Sequence, residues 1–296
     1  MKITTVDHLP SLGPIFAKAV LPGGAPAAAL PERGLRIESF AVERAKLLAY
    51  QRVCGFNVDD RLPHTYPHVL GFPLQATLMS ARDFPLPLAG LVHVENAITV
   101  HRPLTSADLL DLTVTAENLR AHPKGQVVDL VTHVHADGEL VWEGRSTYLA
   151  RGARAGSAPH SPAATGGVED AATVRGDGGP AVPNLPIAAI WTLPSGLGRT
   201  YAGVSGDVNP IHLSLLTAKA MGFPRAIAHG MWTYARTLGA LGSPMAYAGS
   251  SHVWFRKPVL LPSRVALVAQ VENGRGVAAL VAPKDPTRVH LLVEVR

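Results

Sequence analysis

One six-residue pattern occurs twice in this chain, and the repetition restricts the fold more than any other feature. Tyr50-x-x-Val53-Cys54-Gly55 returns 151 residues later as Tyr201-x-x-Val204-Ser205-Gly206. What surrounds each copy also matches. RIESFAVERAKLLAYQRVCG and PIAAIWTLPSGLGRTYAGVSG each read as a short strand followed by a helix. VHRPLTSADLLDLTVTAENL is echoed by WFRKPVLLPSRVALVAQVEN: a strand, a basic residue before proline, a polar turn, then a strand alternating at period two. More strands follow in each half, QVVDLVTHVHA and LVWEGRSTYLA in the first, GVAALVA and VHLLVEVR in the second. A unit of this length is too long for a solenoid repeat. Each half is therefore expected to be α+β, with a helical front and a run of antiparallel strands. The apolar face of such a sheet needs a cover. AHGMWTYARTLGAL supplies one in the second half, with Met231, Tyr234, Ala235, Leu238 and Leu241 at helical spacing. Two such units are expected to lie side by side in one continuous sheet.

Between the copies, residues 151–183 are rich in Gly, Ala, Pro and Ser and have no hydrophobic period. Such a segment cannot offset its ordering entropy by burial, and it reads as a flexible linker. It separates an N-terminal unit, 1–150, from a C-terminal unit, 184–296. The chain is 47% hydrophobic, enough for a core in both units. Its net charge is +5, from 27 basic and 22 acidic residues, without a basic run of the kind that marks a nucleic-acid footprint. Cys54 is the only cysteine, which excludes an internal disulfide and a cysteine metal site and fits a reducing cytoplasm. No apolar run approaches the roughly 18–20 residues of a membrane span, and the apolar stretch before Pro22 is short for a signal peptide.

YAGVSGDVNPIH, Tyr201 to His212, carries the chemistry. Asn209 is a good helix cap, and Pro210 is favoured at the first helical position. Ile211, Leu215 and Ala218 continue at helical spacing until Gly222, so a helix is expected to begin here with His212 in its first turn. Asp207 lies just before the cap. An acid and an imidazole fixed by one rigid element suit acid/base work on a molecule held between them. The same residues also fit a plain capped turn with a surface histidine. A metal site from Asp207, His212 and His229 is the lesser alternative. Calcium is excluded, because Pro210 interrupts the loop and the glycine and glutamate of a calcium loop are missing.

The stretch YAGVSGDVNPIHLSLLTA resembles the signature of the MaoC-like (R)-specific enoyl-CoA hydratases, also called hydratase 2. Tyr201, Ser205, Gly206, Asp207, Asn209, Pro210, Ile211, His212 and Ala218 carry the match, and IAHGMW, Ile227 to Trp232, extends it. LPHTYPHVLGFPL resembles the N-terminal half of mycobacterial 3-hydroxyacyl-thioester dehydratases. The resemblance implies a double hotdog fold. It also implies reversible interconversion of (R)-3-hydroxyacyl and trans-2-enoyl thioesters on coenzyme A or acyl carrier protein, with no cofactor and no metal. Asp207 and His212 would hold the water between them, with His212 taking its proton and Asp207 as partner in delivering one to Cα. Charge building on the thioester oxygen needs donors already in place, and the free N–H groups opening the buried helix offer them. The Gly230 amide is the expected oxyanion donor, although the glycine also fits simple close packing. Asn209 either caps or contacts substrate, His229 either packs or lines the thioester pocket, and Ser205 is a further candidate for substrate binding. Arg199, Lys219, Arg225, Arg256 and Lys257 are the candidates for carrier phosphates. A hotdog acyl-thioesterase and a non-catalytic acyl-thioester-binding subunit remain alternatives.

In the first copy Phe56 stands where Asp207 stands in the second. Asp59 and His64 repeat the spacing of the pair but lack its Gly-Asp and Asn-Pro setting. The first half is therefore expected to complete a pseudo-dimer, active as a monomer or homodimer, and to make room for the acyl chain. Val69, Leu70, Phe72, Leu74 and Leu78 fit either a tunnel lining or plain core. Gly274-Arg-Gly276-Val-Ala-Ala279 imitates a dinucleotide motif, but Asn273-Gly274 is a strong hairpin turn and a strand follows, which excludes nicotinamide binding.

Overall fold

The computed structural model describes residues 1–19, 29–152, 180–242, 245–247 and 249–296. Most of the expected linker, residues 153–179, lies outside the described residues. In chain order the elements are β1 (Lys2–Thr5), α1 (Leu12–Ala19), β2 (Arg33–Ala41), α2 (Arg44–Cys54), α3 (Tyr66–Met79), β3 (Leu91–Val100), β4 (Leu109–His122), β5 (Gly125–Ala136) and β6 (Glu139–Arg151). They continue as β7 (Ile187–Leu193), α4 (Leu197–Ser205), α5 (Leu215–Ala220), α6 (Gly230–Leu241), β8 (Gly249–Phe255), β9 (Ser263–Glu272), β10 (Arg275–Ala282) and β11 (Asp285–Val295).

The strands form one 11-stranded sheet in the order β1-β2-β4-β5-β6-β3-β8-β11-β10-β9-β7. Leaving β1 aside, that order is a palindrome of corresponding elements: β2 matches β7, β4 matches β9, β5 matches β10, β6 matches β11, and β3 meets β8 in the centre. The duplication read in the sequence is thus a pseudo-two-fold in space. The halves join through antiparallel pairing of β3 with β8, from Glu95 opposite Trp254 to Val100 opposite Gly249. All pairings are antiparallel except that of β1, which runs parallel to β2 at the edge.

Each half wraps its sheet around one helix. In α3 every residue but Thr77 is buried, as expected of a helix that is apolar on all sides. In α6, Met231, Tyr234, Ala235 and Leu238 are buried as their spacing requires, while Leu241 is half-buried. The repeated helices α2 and α4 pack on one another. Tyr50 and Tyr201, the first residues of the two copies, lie with ring centres 6.1 Å apart, and both are buried. Gly239 lets α6 approach α2 closely: a Cβ there would stand 2.9 Å from the Gly55 carbonyl oxygen. Trp232 Nε1 donates to the Val53 carbonyl at 3.0 Å, a further tie between the halves.

Asn273 and Gly274 both have positive φ, 48° and 76°, and join β9 to β10 as a two-residue hairpin turn. No helix among the described residues is long and apolar enough to cross a membrane.

Candidate active site

The acid and the imidazole are placed by a chain of local hydrogen bonds that begins where α4 ends. Ser205 Oγ donates back to the Tyr201 carbonyl at 2.9 Å and accepts from the Asp207 N–H at 3.2 Å. Gly206 reverses the chain at φ 72°. Asp207 Oδ1 then accepts the Asn209 N–H at 3.1 Å, and Asn209 Oδ1 accepts the Ile211 N–H at 3.3 Å. Asn209 is therefore the cap its position implies, and it also reaches the cavity wall. Ser205, expected as a substrate-binding residue, does not line that wall, and its hydroxyl is taken up by the Tyr201 carbonyl and the Asp207 N–H.

The helix expected from Pro210 to Gly222 is broken in two. Pro210–His212 form a single 3₁₀ turn, and α5 starts afresh at Leu215, with Ser214 Oγ accepting the Thr217 N–H at 3.2 Å. The cause is long-range. The Ile211 carbonyl, which a continuous helix would use internally, accepts the Ile227 N–H at 3.2 Å. The His212 carbonyl is pressed against α4, where a Cβ on Gly198 would overlap it at 1.9 Å.

His212 Nδ1 lies 2.8 Å from the Ile227 carbonyl oxygen. A carbonyl only accepts, so the ring proton sits on Nδ1 and Nε2 keeps a bare lone pair. Ile227 thus holds the turn through its N–H and sets the tautomer through its carbonyl. His229, the residue before α6, donates from Nε2 to the Asp207 main-chain carbonyl at 3.0 Å, and the same nitrogen is 3.8 Å from Asp207 Oδ2. The His229 and His212 rings stack with centres 3.6 Å apart, and Tyr201 packs on the other flank of His229 at 4.8 Å.

Burial pushes His212 down to about 3, with His229 adding to the effect and the Asp207 charge opposing it. Burial likewise holds His229 at about 3. Both imidazoles are neutral at pH 7. Burial raises Asp207, against the opposing pull of His212 and the Asn209 N–H. Its side chain keeps 22% exposure, and Asp207 lines the cavity.

These groups open onto a cavity of about 310 Å³, at the small end of the range for ligand pockets. Asp207, Asn209, His212, His229 and Gly230 line one side. The Gly230 N–H belongs to the first turn of α6, where no intrahelical carbonyl reaches it. The missing side chain also makes room for Phe255, whose ring atoms would lie 3.2 Å from a Cβ. Arg256 and Lys257 line the cavity as well, whereas Arg199, Lys219 and Arg225 do not. Arg199 instead donates to the Leu213 carbonyl at 2.8 Å and Arg225 to the Pro262 carbonyl at 3.3 Å, and Lys219 is exposed on α5.

The opposite side comes from the first half. Of the five apolar positions expected to serve as tunnel or core, only Phe72 reaches the cavity, while Val69, Leu70, Leu74 and Leu78 are buried core. The wall is built instead from Phe16, His68, Met79, Leu91, His93 and Tyr148. The helical and strand periods of their segments were legible, but no local signal points to this wall. Phe56 is buried against Tyr50 at 6.2 Å. Asp59 pairs with Arg61 at 2.6 Å, while His64 is fully buried with Nε2 at 2.6 Å from Ser251 Oγ, so the two do not act as a pair.

Asp207, His212 and His229 each offer a ligand atom within 4.8 Å of the others, a spacing open to a metal ion. The two rings, however, stack with their planes 25° apart and centres 3.6 Å apart, so their in-plane lone pairs lie in separate, nearly parallel planes. His229 Nε2 and His212 Nδ1 also face carbonyl oxygens. The set fits an organic ligand and a water better than a metal.

Comparison with known proteins agrees with the geometry. Residues 192–287 match the MaoC like domain family. The chain is 36% identical to 3-hydroxyacyl-thioester dehydratase X of Mycobacterium tuberculosis over 248 residues, 83% of each chain. The crystal structure of HtdX from the same organism superposes with a TM-score of 0.74 at 33% identity, covering 89% of this chain and 99% of that one. A further Mycobacterium tuberculosis protein described as a double hotdog fold superposes at 0.54 with 11% identity, covering 90% of this chain and 96% of that one, a likeness of fold alone. A duplicated hotdog architecture, the Asp207–His212 arrangement and these relatives together place the chain in the MaoC-like hydratase and dehydratase family.

Proposed function

We propose that the protein catalyses the reversible addition of water to trans-2-enoyl thioesters, giving (R)-3-hydroxyacyl thioesters. The observation that carries this reading is the bare Nε2 lone pair of His212, set beside the Asp207 carboxylate on the wall of a cavity. Two acceptors that are not bonded to each other can orient one water through its two hydrogens.

In hydration, the water oxygen bonds to Cβ while one of its protons passes to the pair, and Cα receives a proton from the same pair. Water is thereby added as hydroxyl and hydrogen with no external donor. Burial lowers His212 and raises Asp207, so the carboxylate is the better proton acceptor. We therefore assign the proton shuttle to Asp207 and the holding of the water to His212, in place of the division expected from the sequence. The Gly230 N–H, at the positive end of α6, would take the charge that builds on the thioester oxygen. Delivery of hydroxyl and proton by one pair, from one face, is the basis for proposing a single 3-hydroxy stereoisomer.

The carrier is proposed to be coenzyme A or acyl carrier protein, whose phosphates suit Arg256 and Lys257 on the cavity wall. Because the N-terminal half already supplies the second wall, the double unit is proposed to be active as a monomer or within a homodimer. The lone, buried Cys54 fits a reducing compartment, and the cytoplasm is proposed as its location.

Loss of enoyl absorbance from crotonyl-CoA, with chiral analysis of the product, tests the reading. Hydration by the wild type that collapses in Asp207→Asn and His212→Gln is expected. Release of free thiol without hydration would instead indicate a thioesterase.

A further inference from the structure

β1 and α1 stand outside the repeat. β1 breaks the palindromic strand order, and neither element has a counterpart among the described residues of the second half. The duplicated framework accounts for the sheet and for the acid/base loop, but not for these two. α1 buries Leu12 and Phe16, four residues apart on one face, while Gly13, Pro14, Ala17 and Lys18 on the other face are exposed. The buried face touches both halves of the molecule. Leu12 Cδ1 lies 3.6 Å from the position of a Cβ on Gly206, the residue before Asp207. Phe16 packs on Phe72 of α3 with ring centres 6.5 Å apart, and both rings line the cavity. Where Phe16 faces the cavity, α1 is therefore a single layer between that space and solvent.

Measured contacts connect this layer to the reacting centre. Gly230, the proposed oxyanion donor, has the Phe255 ring 3.2 Å from the position of its missing Cβ. Phe255 lies 5.1 Å from His93 between ring centres, His93 5.7 Å from His68, His68 5.9 Å from Phe72, and Phe72 6.5 Å from Phe16. Every ring in this series lines the cavity, and Phe16 is its last member. Met79, Leu88 and Leu91 of the same half add apolar lining. An aromatic and aliphatic surface gives nothing to the phosphates of a carrier, but it takes hydrocarbon out of water. With the thioester carbonyl at Gly230, the part of the substrate suited to Phe16 is the acyl chain.

We infer that α1 is the stop of the acyl site and that Phe16 sets the longest acyl chain the protein accepts. The volume of about 310 Å³ then suits short chains. The inference rests on the hydratase reading for the identity of the thioester, but not for the closure of the apolar lining by α1.

The test uses the full chain with Phe16→Ala, which removes the ring, and Phe16→Trp, which enlarges it. Ile15→Ala is the control, because Ile15 is half-buried on α1 and packs on the core without lining the cavity. Two ratios are read. One is kcat/KM for trans-2-dodecenoyl-CoA over that for crotonyl-CoA. The other is the affinity for the unreactive dodecanoyl-CoA over that for butanoyl-CoA, from calorimetry. Wild type should favour the short chain in both. Phe16→Ala is expected to raise both ratios by about tenfold or more, since one methylene of misfit in an apolar pocket is worth about 10–200-fold. Phe16→Trp should lower both, and Ile15→Ala should leave both at the wild-type value. Retained near-ultraviolet circular dichroism shows that each variant is folded, and Phe16→Trp decides if Phe16→Ala is not.

Ratios unchanged in the folded Phe16 variants would overturn the inference, and the hydratase reading would stand. An equal rise in Ile15→Ala would also overturn it, because loosening of α1 and not the ring would then be the cause. No hydration by the wild type, with the affinity ratio still shifted in the Phe16 variants alone, would overturn the hydratase reading and leave this inference in place.

Discussion

The imidazole of His229 lies on that of His212, ring centre to ring centre 3.6 Å, while its Nε2 donates to the Asp207 main-chain carbonyl at 3.0 Å. One buried ring thus braces both members of the proposed pair, as groups behind a reacting centre commonly do. Its presence also pushes His212 further down. His229→Phe keeps a ring for the stack and removes the donor. kcat for enoyl hydration is expected to fall about tenfold, because His212 and the Asp207 loop both lose their brace. A rate close to wild type would show that His229 only fills space.

Asp207→Asn removes the titratable carboxylate, and His212→Gln removes the imidazole lone pair fixed beside it. Each is expected to lower kcat by about 10²–10⁴-fold, the usual contribution of a positioned acid/base group. Both sites face a cavity, so the melting temperature should change little. Wild-type rates in both variants would rule out the assignment.

Gly198 is the contact on which the 3₁₀ turn depends. A methyl group there would meet the His212 carbonyl oxygen at 1.9 Å, against backbone that cannot swing aside. Gly198→Ala is expected to destabilise the fold by about 1–3 kcal/mol, the usual cost of overpacking, and to lower kcat because His212 moves with its carbonyl. Gly203, where a methyl group would meet nothing within 4 Å, is the control. Gly203→Ala should leave melting temperature and rate close to wild type. Equal behaviour of the two variants would show that α4 does not set the position of His212.

The five candidate cations should separate experimentally as they do in space. Lys257 lines the cavity, whereas Lys219 is exposed on α5 outside it. Lys257→Ala is expected to raise KM for crotonyl-CoA about three- to tenfold, with an effect that shrinks as salt screens the charge. Lys219→Ala should leave KM unchanged. Equal effects from both would mean that the carrier crosses α5 instead.

Acid should destabilise the protein before its carboxylates are titrated. Burial holds His64 and His68 at about 4 and His212 and His229 at about 3. In the unfolded chain these imidazoles titrate near 6.5. Below that pH the unfolded state takes up protons that the folded state refuses, so their stabilising contribution is complete above about 6.5 and is lost as pH falls toward 4. Each histidine contributes a slope of about 1.4 kcal/mol per pH unit across that window. Asp207, raised in the folded state, acts in the opposite sense but is a single group. Urea unfolding at pH 7, 6 and 5 should show a steep decline. Equal stability at pH 7 and pH 5 would mean that these imidazoles are protonated in the folded chain.

Much of the molecule was determined by the sequence alone. The repeat beginning at Tyr50 and Tyr201 required two like units, and the palindromic strand order is that requirement met in space. Helix α6 and the hairpin at Asn273-Gly274 also followed from local patterns, because helix and strand periods and turn preferences are short-range properties. Asp207 and His212 stood out for the same reason, being five residues apart in one loop. What depended on distant partners was decided only by the tertiary structure. The helix after Asn209 breaks because the Ile211 carbonyl bonds to Ile227, and neither residue announces the other. His68, His93 and Tyr148 meet Asp207 and His212 around one cavity because β3 pairs with β8 across the centre of the sheet. A period of two shows which face of a strand a residue occupies, but not which residues of the other half will stand opposite it.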